Sequence, residues 1–238
     1  MSGHSKWSKI KRQKSVTDAK RGAIFTKLGN LIAIAAREKG GDPETNFSLR
    51  MAIDKAGAAN MPKENIERSI KRGIGELEGG QIDEIFYEGF GPVKAQFIVK
   101  TLTDNKNRSV ANIRHIFTKY GGAFGSVMWN FEQQGVIRIS NDEFRMTNEE
   151  TELELIEAGV QEINKEAEGI TLITNMEDLV KVKKFLDDKG IKTESAEIEY
   201  VAKEEMELKD EDRPKMEKFI EALEENEDVA DYYTNVNL

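Results

Sequence analysis

The chain has 238 residues, 35 Lys and Arg against 44 Asp and Glu, a formal net charge of −9 and no cysteine. Without thiols it can form no disulfide, zinc-thiolate site or iron–sulfur cluster and has no thiol nucleophile, and no apolar run approaches the roughly 18 residues of a membrane span. Its 38% hydrophobic and 33% charged content, the latter above the roughly 25% of an average globular protein, predicts several small units, not one thick core.

Charge is uneven along the chain. Residues 1–75 hold 16 Lys/Arg and 7 Asp/Glu, net +9, and the remainder is net −18. The excess is steepest in residues 1–27, with eight Lys/Arg and Asp18 as the sole acid. Residues 1–15 are polar, basic and without apolar period, which predicts a flexible arm. A helix then starts near Thr17-Asp18, both good N-caps, with Ile24, Phe25, Leu28, Leu31, Ile32 and Ala35 on one face, and Gly40-Gly41 end it. Lys27 and Asn30 interrupt "AIFTKLGNLIAIAA" and no small-residue cleavage site follows cleanly, which argues against a signal peptide; composition alone leaves an organellar transit peptide open, and the lack of cysteine fits a cytosolic protein.

"DPETNFSLRMAIDKAGAAN" predicts a second helix with Phe47, Leu49, Ile53 and Ala56 inward. "NMPKENIERSIKRG" predicts a third, capped by Asn60, with Ile66 and Ile70 inward, Glu64–Arg68 and Glu67–Lys71 as i,i+4 pairs and Gly73 as its stop. A Gly/acid linker follows over 73–81. Beyond it the pattern predicts a strand over 93–103, a helix from about Lys106 to Tyr120 and the strand "SVMWNFE". A second unit repeats this order, with "GVIRIS" a strand, 149–158 a helix and "ITLITN" a strand. Leu179, Val182 and Leu186 then line a helix, and "AEIEYVAK" is the last strand of that unit. The tail supplies a helix over about Asp210 to Glu225, with Met216, Phe219, Ile220 and Leu223 inward, and the strand "VADYYTNV".

The result is an α+β protein: a helical bundle followed by two small α/β sandwiches. A lone tail helix and strand cannot bury a core, so they are expected to complete the first sandwich. The expected division is 1–80 for the arm and helical domain, 81–134 plus 204–238 for the middle domain, and 135–203 for the second α/β domain.

No catalytic constellation is visible. There are two histidines, His4 and His115, without metal-ligand spacing, and no phosphate-cradling glycine motif. "EGFGP" at 88–92 reads as a tight turn and "YGGAFG" at 120–125 as a helix cap running into a loop. The expectation is a non-enzyme with no catalytic residue, metal, cofactor, small-molecule substrate or membrane partner.

The arm carries the chemistry. Lys6, Lys9, Lys11, Arg12 and Lys14 are spaced to neutralise phosphates, with Lys20, Arg21 and Lys27 continuing the run into the first helix. Trp7 among them can stack on an unpaired base. Arg68, Lys71 and Arg72 add a basic end to the third helix. These twelve residues are the candidate nucleic-acid-binding set.

"GHSKW" at 3–7, "DAKRGAIFTKL" at 18–28, "GGDPETN" at 40–46 and "LRMAIDKAGAANMPKENIERSIKRG" at 49–73 together resemble the YebC/PmpR family, as do "YEGFGP" at 87–92, "DNKNRSVANIRHIFTKYGG" at 104–122 and the closing "VADYYTNV". A mitochondrial relative of that family is the translational activator of cytochrome oxidase. The resemblance implies a three-domain YebC-like fold whose middle domain is completed by the C-terminal segment. It also implies a cytoplasmic, non-enzymatic regulator of gene expression, labelled in the family as a DNA-binding transcriptional regulator. Some members look instead like ribosome-associated translation factors that bind rRNA and tRNA and relieve stalling at proline-rich stretches. The loop after "GGAFG" is shorter here than in the family pattern. Three functions are therefore in play: duplex DNA binding, RNA binding on the ribosome, and a protein-interaction adaptor working through the acidic body. A disordered basic arm with one aromatic suits RNA, and the family label points to DNA.

Overall fold

Helix α1, Asp18–Lys39, is apolar on more than one side, and each side has its own partner. The structure, a computed structural model, describes residue 7 and residues 18–77, 80–144 and 149–237. Leu28, Ile32 and Ala35 of α1 enter the core of the bundle, with Ile24, Phe25 and Leu31 packed beside them. Ala33 and Ile34 face the other way and bury against Ile82 and Leu102 of the next unit. The run "LIAIAA" is thus a buried segment shared between two cores, as an all-round apolar helix requires.

Helix α2, Phe47–Ala58, starts at Asn46, whose side-chain oxygen accepts from the Leu49 amide at 3.0 Å. The amide nitrogen of the same side chain donates to the carbonyls of Ala35 and Gly40, both at 2.8 Å. Asn46 therefore caps α2 and ties off the end of α1 while fully buried. Asn46→Ala removes the cap and orphans two carbonyls, and is expected to cost about 2 kcal/mol in a denaturant titration. Asn46→Asp, which keeps the acceptor but loses the donor, separates the two roles. Leu49 and Ala56 point into the bundle as expected, but Phe47 turns outward onto the core of the third unit together with Met51.

Helix α3, Lys63–Gly73, has Pro62 rather than Asn60 at its N-cap position, with no side-chain capping bond. Asn60 sits two residues before Pro62 with φ of 57°, the left-handed conformation that asparagine tolerates between helices. The expected Glu64–Arg68 and Glu67–Lys71 ion pairs are not formed among the described residues. Gly73 and Gly29 let α3 lie directly on α1. A Cβ at Gly73 would stand 2.3 Å from the Ala33 carbonyl oxygen, and one at Gly29 2.9 Å from Ser69 Oγ.

The middle unit comprises β1 Asp83–Phe90, β2 Gln96–Thr103, α4 Lys106–Lys119 and β3 Ala123–Phe124. The third unit follows with β4 Phe131–Ser140, α5 Asn141–Phe144, α6 Glu149–Ala158, β5 Val160–Lys165, β6 Gly169–Thr174, α7 Leu179–Asp188 and β7 Ser195–Ala202. The tail adds β8 Met206–Glu207, α8 Arg213–Glu225, β9 Val229–Thr234 and β10 Val236–Asn237. The middle sheet has the order β3-β1-β2-β9, every neighbouring pair antiparallel. The tail strand β9 is therefore the partner of β2. Helices α4 and α8 cover one face, where Phe219 makes edge-to-face contacts with Phe97 and Phe117 at ring separations of 4.9 and 5.1 Å. This is the α+β architecture expected, with the middle sheet completed by the C-terminal segment.

Three local expectations need correction. Strand β1 lies where none was predicted. The strand placed at 93–103 begins at Gln96, because Pro92–Lys94 form a tight turn closed by the Gly91 amide on the Ala95 carbonyl at 2.7 Å, with Val93 and Lys94 at φ of 51° and 64°. "SVMWNFE" is not a separate strand: Met128–Asn130 form a short 3-10 turn, and β4 then runs unbroken through Ser140. Its pairing with β7 starts at Phe131 opposite Ala202, so a boundary between residues 134 and 135 falls inside a strand.

The third sheet has the order β5-β6-β4-β7, again antiparallel throughout. Ile137, Ile139 and Leu172 on one face meet Leu155 of α6 and Val182 and Leu186 of α7. Strand alternation sends Arg138, Thr171 and Glu199 to the opposite face. Lys55 of α2 reaches Glu197 of β7 at 2.7 Å, joining the bundle to this unit. Burial opposes the Lys55 charge, but Glu197, with Asp231 and Glu199 nearby, holds its pKa above the usual lysine range.

Candidate nucleic-acid interface

Lys6, Lys9, Lys11, Arg12 and Lys14 lie outside the described residues. Lys20 and Arg21 are in the first turn of α1, and Arg21 is exposed. Arg68, Lys71 and Arg72 share the C-terminal half of α3, where cations also favour the helix dipole. Arg68 and Lys71 are exposed. Arg72 folds back onto α1 and donates to Asn30 Oδ1 at 2.9 Å. Burial, and then the neighbouring Arg68 charge, push its pKa below the ordinary arginine value. The two guanidiniums at i and i+4 thus repel one another, and an anion between them would relieve that repulsion.

Lys27 is committed elsewhere. Its ammonium donates to the Glu224 carbonyl at 2.6 Å, at the C-terminal end of α8, where a cation meets the negative end of the helix dipole. It joins the bundle to the tail helix, a structural role that the charge run alone did not reveal. Trp7 differs more sharply from expectation. Its side chain is 5% exposed, and its ring lies so close to Gly169 of β6 that a Cβ there would be 2.7 Å from two ring carbons. In this structure the indole packs against the protein and presents no face to a base.

Two features escaped the sequence reading. Trp129, in the turn before β4, is 61% exposed, its indole NH bonded to the Ser126 carbonyl at 3.2 Å. The ring is therefore an aromatic surface open to solvent. The other is Arg138, which makes a bidentate pair with Glu199 at 2.6 and 3.0 Å. Both side chains are almost inaccessible, at 4% and 6%. Burial works against the Arg138 charge, and Glu199 more than offsets it, raising the pKa. The available signal was an arginine inside the apolar strand pattern "GVIRIS". His115 is exposed, and among the described residues no group of three or more His, Asp or Glu could hold a metal ion. No helix among them is long and apolar enough to cross a membrane.

A helical bundle carrying a basic helix end, joined to two α/β units whose sequence is net acidic, defines a multidomain α+β protein. The chain belongs to the TACO1/YebC family: residues 5–76 match the N-terminal domain of that family and residues 82–236 its second and third domains. It is 46% identical over 241 residues to a probable transcriptional regulatory protein of Thermoanaerobacter pseudethanolicus, covering 100% of this chain and 98% of the relative. A relative of the same description from Persephonella marina is 47% identical over 244 residues, covering 100% and 96%. The crystal structure of a conserved hypothetical protein from Aquifex aeolicus superimposes with a TM-score of 0.83 at 39% identity, covering 94% of this chain and 93% of that one.

Proposed function

We propose that this chain is a cytoplasmic, non-enzymatic regulator of gene expression that acts by binding nucleic acid through its basic N-terminal region. The observation that carries the reading is the charge division: residues 1–75 are net +9 on a chain of net −9. The names of the relatives, probable transcriptional regulatory proteins, support regulation and favour DNA as the target. A second reading, RNA on the ribosome, is favoured by α3 itself. Its exposed Glu64 and Glu67 stand on the same helix as the basic trio and would meet phosphates if that helix entered a major groove.

A salt titration tests the reading. If about four arm cations touch phosphates, log K falls against log salt with a slope of about −3 to −4. Changing Lys9, Lys11, Arg12 and Lys14 to Gln is expected to weaken binding more than about tenfold at moderate salt and flatten the slope. Equal affinities and slopes for the variant and the wild type would remove the arm from binding. Running single-stranded RNA beside duplex DNA decides the target, and sedimentation of lysate with and without nuclease reports whether the protein travels with ribosomes.

A further inference from the structure

The face of the third sheet turned away from α6 and α7 forms a groove of about 510 Å³. Glu132, Glu162, Glu166, Glu199 and Glu205 line it, against two cations, Arg138 and Lys203. Its floor contains buried polar groups that the described residues do not fully satisfy. Arg138 Nε and Thr171 Oγ1 have no hydrogen-bond partner among the described residues, although Thr171 is only 4% exposed. Strand alternation places Gly169 on the same face as Thr171, two residues further along β6. The ring buried against Gly169 is that of Trp7.

We propose that this acidic groove is a docking site for the basic N-terminal segment of the same chain, with Trp7 as its apolar anchor. Residues 1–17 contain five Lys and Arg and no Asp or Glu, so their charge complements a groove with five carboxylates and two cations. Gly169 is the feature that lets the indole reach the strand, because a Cβ there would stand 2.7 Å from two ring carbons. Hydroxyl and carbonyl groups of the segment can meet Arg138 Nε and Thr171 Oγ1 on the floor. Docked in this way the arm cations are engaged by the protein's own carboxylates. Nucleic acid must compete for them, a consequence that rests on the proposed function.

The test uses the full chain with Trp129→Phe, which leaves Trp7 as its only tryptophan. Trp7 emission and acrylamide quenching are read in this protein and in one that also carries Glu132→Gln, Glu162→Gln and Glu205→Gln, three exposed groove positions. Shielded emission in the parent, with a red shift and loss of protection in the triple variant and in about 1 M NaCl, where the Debye length is about 3 Å, is the expected result. An exposed Trp7 in the parent, or a shielded one indifferent to groove charge and to salt, overturns the docking site. Competition is read on the same proteins with single-stranded RNA and duplex DNA. If the arm is docked nine-tenths of the time, releasing it strengthens binding about tenfold. Released Trp7 with unchanged or weaker binding overturns the competition. Failure of the parent to bind either probe at any salt overturns the nucleic-acid reading instead, and the fluorescence still decides docking.

Discussion

Truncation after residue 203 is expected to abolish cooperative unfolding of the middle unit while leaving a transition for the third. The tail contributes Leu208, Met216, Phe219, Ile220, Leu223, Val229, Tyr232 and Val236, eight of the fourteen buried residues in the middle core. Truncating a single buried Phe to Ala costs about 3–5 kcal/mol, and a whole domain is stable by only about 5–15 kcal/mol, so this loss cannot be absorbed. Strand β2 would also lose its partner β9 and become an exposed edge of apolar sequence, "QFIVKTLT", which invites aggregation. The third sheet keeps all four strands and both covering helices. Calorimetry of the two chains should therefore show one transition disappear and the other persist. An unchanged profile in the truncated chain would mean that the middle unit folds without its tail.

The helices of ten residues or more were legible because their apolar residues recur at three- and four-residue spacing, whereas the four-residue α5 is too short to show a period. Met216, Phe219, Ile220 and Leu223 on α8 are all buried where the three- and four-residue spacing put them. The strands were less legible where their two faces are unequal to the pattern. In β1, "DEIFYEGF", Ile85, Phe86 and Tyr87 are all half-buried, since α4 partly covers one face and Tyr200 of β7 meets Phe86 on the other. No alternation survives such two-sided contact. Strand β5, "VQEINK", is an edge strand with mostly solvated side chains and so carries little apolar signal. Continuity of β4 through residue 134 is invisible locally because it is fixed by pairing with β7, some sixty residues away.

For the candidate site, cation counting found Arg68, Lys71 and Arg72, but it could not tell which cations the protein uses for itself. Lys27 is bound to a carbonyl 197 residues away in sequence. The groove was beyond reach for the same reason. Its carboxylates come from β4, β5 and the turn after it, β7 and the segment after β7, and they converge only through sheet register. Trp7 looked like a base-stacking residue because its neighbours in sequence are lysines, whereas its neighbour in space is a glycine in β6.

Removing either partner of the Arg138–Glu199 pair is expected to destabilise the third unit by about 3–5 kcal/mol, the cost of taking its bidentate partner from a buried charge. Arg138→Met takes from Glu199 the two donors, Nη1 and Nη2, from which its oxygens accept at 2.6 and 3.0 Å. Glu199→Leu strands a guanidinium that is 4% exposed. Replacing both at once removes the penalty along with the attraction, so Arg138→Met with Glu199→Leu is expected to recover most of the loss and can exceed the wild type. The cycle of four proteins, each unfolded in guanidinium and read on the third unit's transition, gives the coupling directly. Two single losses that simply add in the double variant would show that the pair contributes no mutual energy. Strong coupling with a stable double variant would show that the ion pair is dispensable for folding. Its place in the floor of an acidic groove would then be explained by recognition: Arg138 holds Glu199 through both Nη atoms and leaves an Nε–H without a partner among the described residues, a donor that the docked segment proposed above can meet.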